Sequence, residues 1–159
     1  MTDPADLPYR PCVGIMLLNR AGQVFVGQRL DTTLEAWQMP QGGIDPGENP
    51  LDTAIRELGE ETGIAPECVE LIAEAPGEFR YDLPVEMIGK VWKGRYRGQT
   101  QRWFLFRFVG TDDDIDITTT HPEFRAWRWA DPGDLPAIIV PFKRALYADV
   151  LAAFSAHLG

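Results

Sequence analysis

The sequence predicts an α+β fold in which a mixed β-sheet is sandwiched between two helices. Three observations predict it. Short apolar runs recur along the whole length, the strongest being Gln101 to Val109 (QRWFLFRFV). One segment, Asn49 to Gly63, carries both the apolar spacing and the end signals of a helix. A second stripe of helical period follows Pro141. Strands surrounding two helices in that order make a sheet covered by helices.

Taken in order, residues 1 to 8 read as a loose lead-in. Pro11 to Leu18 (PCVGIMLL) is short for a helix and ends at Asn19-Arg20-Ala21-Gly22; Val24 to Gln28 returns, so the pair reads as a hairpin. Arg29 to Ala36 is a loop, and Pro40 restricts Trp37 to Gln41 to an edge or a short strand. Gly42, Gly43, Pro46 and Gly47 open another loop. Asn49 then reads as an N-cap, with Pro50 at the first helical position and Asp52 at the third. Leu51, Ala54, Ile55 and Leu58 make one apolar face, and Gly63 sits where a left-handed cap ends the helix. Val69 to Ala75 and Glu78 to Leu83 are strands, and Pro84 to Gly98 is an irregular excursion. In the run 101–109, Trp103, Leu105, Arg107 and Val109 face one way and Phe104, Phe106 and Phe108 the other, which predicts cover on both faces. Asp112 to Pro122 is polar loop, Phe124 to Trp129 a strand and Pro132 to Pro136 a turn. Phe142, Leu146, Val150 and Phe154 space a closing amphipathic helix.

A chain of 159 residues, 45% hydrophobic and 25% charged, fits one soluble domain with a real core. Cys12 and Cys68 do not make a disulfide scaffold, and no His–Cys spacing suggests a soft-metal site. The start, MTDPADLPYR, is acidic and polar, and no apolar run reaches membrane-spanning length. The expectation is a cytoplasmic protein with no membrane partner. A net charge of −9 argues against gripping a DNA duplex. It leaves room for a local clamp on an anionic ligand. Arg80, Lys90, Lys93, Arg95, Arg97 and Arg102 concentrate positive charge in mid-chain, which reads equally as a solvated loop or as such a clamp.

The acids of the first helix are the unusual feature. Glu57, Glu60 and Glu61 share one side at i, i+3, i+4, where like charges repel. They also crowd the C-terminal end, where the helix dipole disfavours anions. A solvated acidic face is one reading. The other is a hard divalent cation, Mg²⁺ or Mn²⁺, neutralising oxygen ligands. Arg56 can reach Glu60 or fold back to Glu48, holding an acid in a fixed rotamer.

These acids belong to a longer pattern: Gly42, five residues, Glu48, seven residues, Arg56-Glu57-Leu58, then Glu60-Glu61 and Gly63-Ile64. Chance agreement at these positions is on the order of 10⁻⁹ per start, given ordinary residue frequencies. The pattern resembles the box of the Nudix hydrolases, which cleave a nucleoside diphosphate linked to another moiety. The resemblance covers nearly the whole chain and implies a Nudix-type α/β/α sandwich, residues 1–159 forming a single domain. It implies Mg²⁺, with Mn²⁺ able to substitute, held by Glu57, Glu60, Glu61 and a backbone carbonyl at Gly42 or Gly43. It also implies a structural Glu48 anchored through Arg56, and an acid outside the box. Glu123, within Pro122-Glu123-Phe124, matches that acid as ligand or general base; Glu57 and Glu60 remain alternatives for the base.

EAWQMPQGGIDPGE, YDLP from Tyr81, GQTQRWF from Gly98 and PFKR from Pro141 are similar to a narrower subgroup. It holds bacterial RNA pyrophosphohydrolases, enzymes of mRNA decay, and the dinucleoside polyphosphate hydrolases. The resemblance places Arg29, Gln38, Val140 and Phe142 at the border of a base pocket, with Phe142 or Tyr81 as a stacking face. It sets Arg10, Tyr81 and Lys143 against phosphates. The expected substrate is the 5′-triphosphate end of RNA; the alternatives are diadenosine tetraphosphate, or a module that binds a nucleotide without cleaving it. Two departures weigh against the RNA-cleaving type: Ala36 stands where a hydroxyl residue is expected, and Asp82 follows Tyr81 where a lysine would suit a polyphosphate better.

Overall fold

The two longest strands, β1 (Tyr9–Leu18) and β6 (Gly98–Phe108), run parallel, paired from Tyr9–Gly98 to Leu18–Arg107, and form the middle of the sheet. The computed structural model describes residues 3–158. It adds β2 (Val24–Arg29), β3 (Gln41–Gly43), β4 (Val69–Glu74), β5 (Phe79–Asp82) and β7 (Phe124–Ala130). The helices are α1 (Pro50–Thr62), a one-turn α2 (Leu135–Ile138) and α3 (Arg144–Phe154). The strand order is β4-β6-β1-β2-β7, with β3 paired to the start of β1 and β5 to the start of β6; every pairing except β1–β6 is antiparallel.

The alternation read in the sequence divides the core into two layers. Trp103 and Leu105 pack with Met16, Val26 and the α3 residues Leu146, Tyr147, Val150 and Phe154. Phe104, Phe106 and Phe108 pack with Val13, Ile15, Leu17 and the α1 residues Ala54 and Leu58. The sheet therefore lies between helices on both faces, α1 on one and α3 with α2 on the other, the expected sandwich. At roughly 1.5–3 kcal/mol per fully buried large side chain, these layers dominate the favourable side of folding. Tyr147 adds one polar tie, its hydroxyl accepting the Met39 N–H at 2.8 Å.

Helix α1 follows its sequence signals. The Asn49 side chain accepts the Leu51 N–H at 2.9 Å, and Gly63 closes the helix at φ 70°, its N–H donating to Gly59 O at 2.9 Å. A Cβ on Gly63 would stand 2.8 Å from Asp116 O. Gly63→Ala is therefore expected to cost about 2 kcal/mol, combining left-handed strain with displaced backbone. It should lower the urea midpoint at unchanged slope.

The structure corrects four local readings. Gly42 and Gly43 do not open a loop; with Gln41 they form β3 against Cys12, Val13 and Gly14. A strand there has almost no side-chain signature, because the space a Cβ would fill is taken by Glu57 and Arg10. The lead-in is tied rather than loose. Pro4–Asp6 is a 3₁₀ turn, and Arg97 holds it through Nη1 to Ala5 O (3.0 Å) and its own N–H to Pro8 O (3.1 Å); residues 1–2 lie outside the described residues. The closing helix begins at Arg144, after a separate 3₁₀ turn at Pro141–Lys143 from which Phe142 still packs at the edge of the α3 core layer. The segment after Pro132 includes the extra helix α2.

Candidate active site

The acidic helix ends beside the glycine strand. The Glu57 carboxyl lies where a Gly42 Cβ would stand, so no larger residue fits at 42. Arg56 organises the other acids. It grips Glu48 through Nε–Oε2 (2.8 Å) and Nη2–Oε1 (2.9 Å), and donates Nη1 to Glu57 at 3.0 Å and to Glu60 at 3.2 Å. The paired guanidinium holds the Glu48 carboxyl down at about 2. Fold-back to Glu48 and reach to Glu60 thus occur together.

Glu57 and Glu61 face the opposite pressure. Burial first, and then the charges of Glu60 and Glu123, push Glu57 up to about 7 despite Arg56. Glu61 is only 5% exposed. Burial, then the Glu57 and Glu123 charges, raise its carboxyl well above the usual carboxylate range. A hydrogen bond from the Gln41 backbone and the charge of Arg29 oppose that rise without cancelling it. Glu61 Oε2 is buried with no hydrogen-bond partner. Glu123, exposed at the foot of β7, is close enough to act on Glu57, Glu61 and Arg29 through its charge.

A buried, unpartnered carboxylate oxygen beside a second raised carboxyl fits a hard divalent cation, whose ligands are oxygens. Among the described residues no three acidic, histidine or cysteine side chains converge tightly enough to enclose an ion by themselves. Glu57 and Glu60 both accept from Arg56 Nη1 in this arrangement.

Next to the acids opens a pocket of about 350 Å³. Arg29, Gln38, Tyr81, Val140, Phe142 and Lys143, all expected around a base or phosphate, line it. Arg10 does not; it sits outside the lining, over the Trp92 ring at 5.6 Å and against Gly43. Lys143 is buried at 6% exposure, with Nζ 5.1 Å from the Tyr81 ring centroid, and burial pulls its ammonium down to about 8. Tyr81 and Phe142 meet at 5.9 Å, tilted by 43°. Arg29 is held by Asp31, Nε to Oδ1 at 2.7 Å, and answers electrostatically to Glu61 and Glu123, which links the pocket to the acids. Sequence reading missed Gln41, Met87, Val91 and Trp92 on the pocket wall. Gln41 is held from below, its Oε1 accepting from Gln101 Nε2 at 3.1 Å, while Gln101 also serves Gln99 and Trp103.

Compared with known families, residues 8–150 match the NUDIX domain. The chain belongs to the NUDIX family. Two relatives of this NUDIX chain show how far the likeness extends. An RNA pyrophosphohydrolase of Sphingopyxis alaskensis is 63% identical over 154 residues, 97% of this chain and 98% of its own length. One of Cereibacter sphaeroides is 59% identical over 156 residues, 98% of this chain and 96% of its own. Among solved structures, the fold matches a C. elegans Ap4A hydrolase in a binary complex with a TM-score of 0.69 at 24% identity, covering 94% and 97% of the two chains. It also matches the NUDIX domain of Shewanella oneidensis NrtR complexed with ADP ribose, at 0.64 and 14%, covering 100% and 94%. These distant structures establish the Nudix architecture shared with this chain.

Proposed function

We propose that this NUDIX protein is a Mg²⁺-dependent RNA pyrophosphohydrolase that releases pyrophosphate from 5′-triphosphorylated RNA. One water is consumed: its oxygen joins the phosphorus left on the RNA, one anhydride bond breaks, and pyrophosphate leaves with the bridging oxygen. The observation that carries this reading is the adjoining placement of the acid row and a base-sized pocket, bridged by Arg29. The substrate follows the relatives of about 60% identity named for it. The reading treats the chain as a single domain acting in the cytoplasm.

In the proposed site Glu57, Glu60, Glu61 and the Gly42 carbonyl hold the divalent cation. Bound there, it supplies charge neutralisation at the anhydride and acidifies water. Glu48 and Arg56 fix the helix acids relative to β3. Glu123, with Glu57 and Glu60 as the other candidates, accepts the proton of the attacking water. Lys143 and Arg29 take phosphate oxygens, and Tyr81 and Phe142 give a base an aromatic wall beside Gln38 and Val140.

A side-by-side rate comparison of 5′-triphosphorylated RNA, diadenosine tetraphosphate and free nucleoside triphosphates tests the assignment. RNA is expected to be hydrolysed with the highest kcat/KM. Preference for diadenosine tetraphosphate would replace the substrate. That second reading draws on Ala36, which lines the pocket without offering a base a hydrogen bond, and on Asp82, whose carboxylate is engaged by Tyr9 and Arg97. Nucleotide binding with no turnover in Mg²⁺ would instead make the protein a sensor.

Lys143→Met keeps the buried volume and removes the charge. It is expected to raise KM about tenfold, with a smaller change in kcat, because one charge-assisted contact to phosphate is lost. In the wild type the same loss should appear as KM rising above pH 8, where the ammonium of Lys143 gives up its proton.

A further inference from the structure

One wall of the pocket is a loop without strand structure: Asp31, Thr32, Leu34 and Ala36 all line the cavity. Its backbone carbonyls are held by a side chain from the far end of the sequence. Arg125 donates Nη1 to Thr32 O at 2.5 Å and Nη2 to Leu34 O at 2.8 Å, and its Nε leans on Gln28 Oε1 at 3.4 Å. Gln28 completes the clamp by donating Nε2 to Glu35 O at 3.1 Å.

The backbone explains why Arg125 reaches the loop. Along the β2–β7 ladder Gln28 pairs with Ala126, but Arg29 pairs with Phe124. Arg125 is therefore the extra residue of a β-bulge, a device that turns a side chain out of its regular direction. Its planar fork can serve two carbonyls at once, which the single ammonium of a lysine cannot reproduce. The same stretch fixes two neighbours of the reaction: Leu30 N–H donates to Glu123 O at 2.9 Å, and Asp31 of the clamped loop holds Arg29.

We propose that Arg125 is a positioning residue that sets the pocket wall, and through it the affinity and base selectivity for the nucleotide end of the substrate. This rests on the reading that the pocket receives a nucleotide base. Arg125 does not line the pocket; it acts through the loop. The two-residue step of the bulge ties the wall and Glu123 to one rigid strand.

Arg125→Ala and Arg125→Lys are compared with the wild type on two 5′-triphosphorylated RNA oligomers differing in one base near the 5′ end, and on diadenosine tetraphosphate. In both variants KM is expected to rise about fivefold to tenfold while kcat stays within about twofold, since pre-organisation is lost and the reacting groups are intact. The preference between the two RNAs is expected to shrink. If Arg125→Ala melts below the assay temperature, Arg125→Lys carries the test, keeping the charge and most of the reach but not the fork. Unchanged KM and unchanged preference in a folded variant overturn the proposal, as does a fall in kcat at constant KM. A wild type inert on RNA yet active on diadenosine tetraphosphate refutes the RNA assignment instead, and the KM comparison on that second substrate then decides the role of Arg125.

Discussion

Glu57→Gln and Glu60→Gln are each expected to lower kcat by about 10²-fold or more, the size of effect that follows loss of a metal ligand or a general base. Both substitutions keep the side-chain volume and an oxygen able to accept from Arg56, so they remove charge with little else. At Glu57 this matters, because its side chain is only 15% exposed and lies against Gly42. Glu60 is half exposed, so its substitution should leave the fold untouched and make any loss of rate chemical. Steady-state kinetics at saturating Mg²⁺ and substrate, with thermal melts alongside, measure the effect. Wild-type turnover in either variant would take that residue out of the site and leave its raised or paired carboxylate as packing alone.

What could be read from the sequence was what local chemistry writes into it. Asn49 and Gly63 mark the ends of α1 because a cap and a left-handed residue are requirements of a few neighbouring atoms. Trp103 and Phe104 announce two covered faces because side chains alternate along a strand. The candidate site was legible as a set of residues rather than as an arrangement: Arg29 and Tyr81 from strands, Gln38 from a loop, and Val140, Phe142 and Lys143 from the connection before α3 all line one cavity. What stayed hidden depends on distant pairings. The strand at Gly42 and Gly43 exists because β1 lies alongside, and glycine carries no pattern of its own. Arg10 alternates to a side of β1 that only the fold turns toward Trp92. Arg125 looks like any solvated arginine until a one-residue slip between β2 and β7 aims it at Thr32 and Leu34. Trp92 and Met87 join the pocket only because the excursion after Pro84 folds back, its ends pinned by Leu83 N–H to Arg97 O at 2.8 Å.

Glu61→Gln is expected to make the protein more stable in a chelating buffer while abolishing turnover. The reason is proton linkage. Burial and the Glu57 and Glu123 charges raise the Glu61 carboxyl far above the 4.5 of an unfolded chain, and Glu57 is raised to about 7 by burial and Glu60. A folded value above the unfolded one means the folded state binds its proton more tightly. The stabilisation is then full below pH 4.5 and is lost as pH climbs through the folded values: across pH 4.5 to 7 for Glu57, and beyond its ordinary range for Glu61. At neutral pH, without a cation, the folded chain must keep a proton that the unfolded chain has released, and every tenfold gain in proton affinity on folding corresponds to about 1.4 kcal/mol. An amide of the same shape carries no such penalty and can donate to a neighbouring carboxylate. Thermal melts in a chelator should show the wild type losing stability from pH 4.5 to 8 and Glu61→Gln staying flatter. The variant should melt several degrees higher at pH 8. Added Mg²⁺ should restore the wild type by mass action and leave the variant nearly unmoved. Parallel pH curves for the two proteins, or equal gains from Mg²⁺, would mean that Glu61 is not the acid that couples ion, fold and reaction.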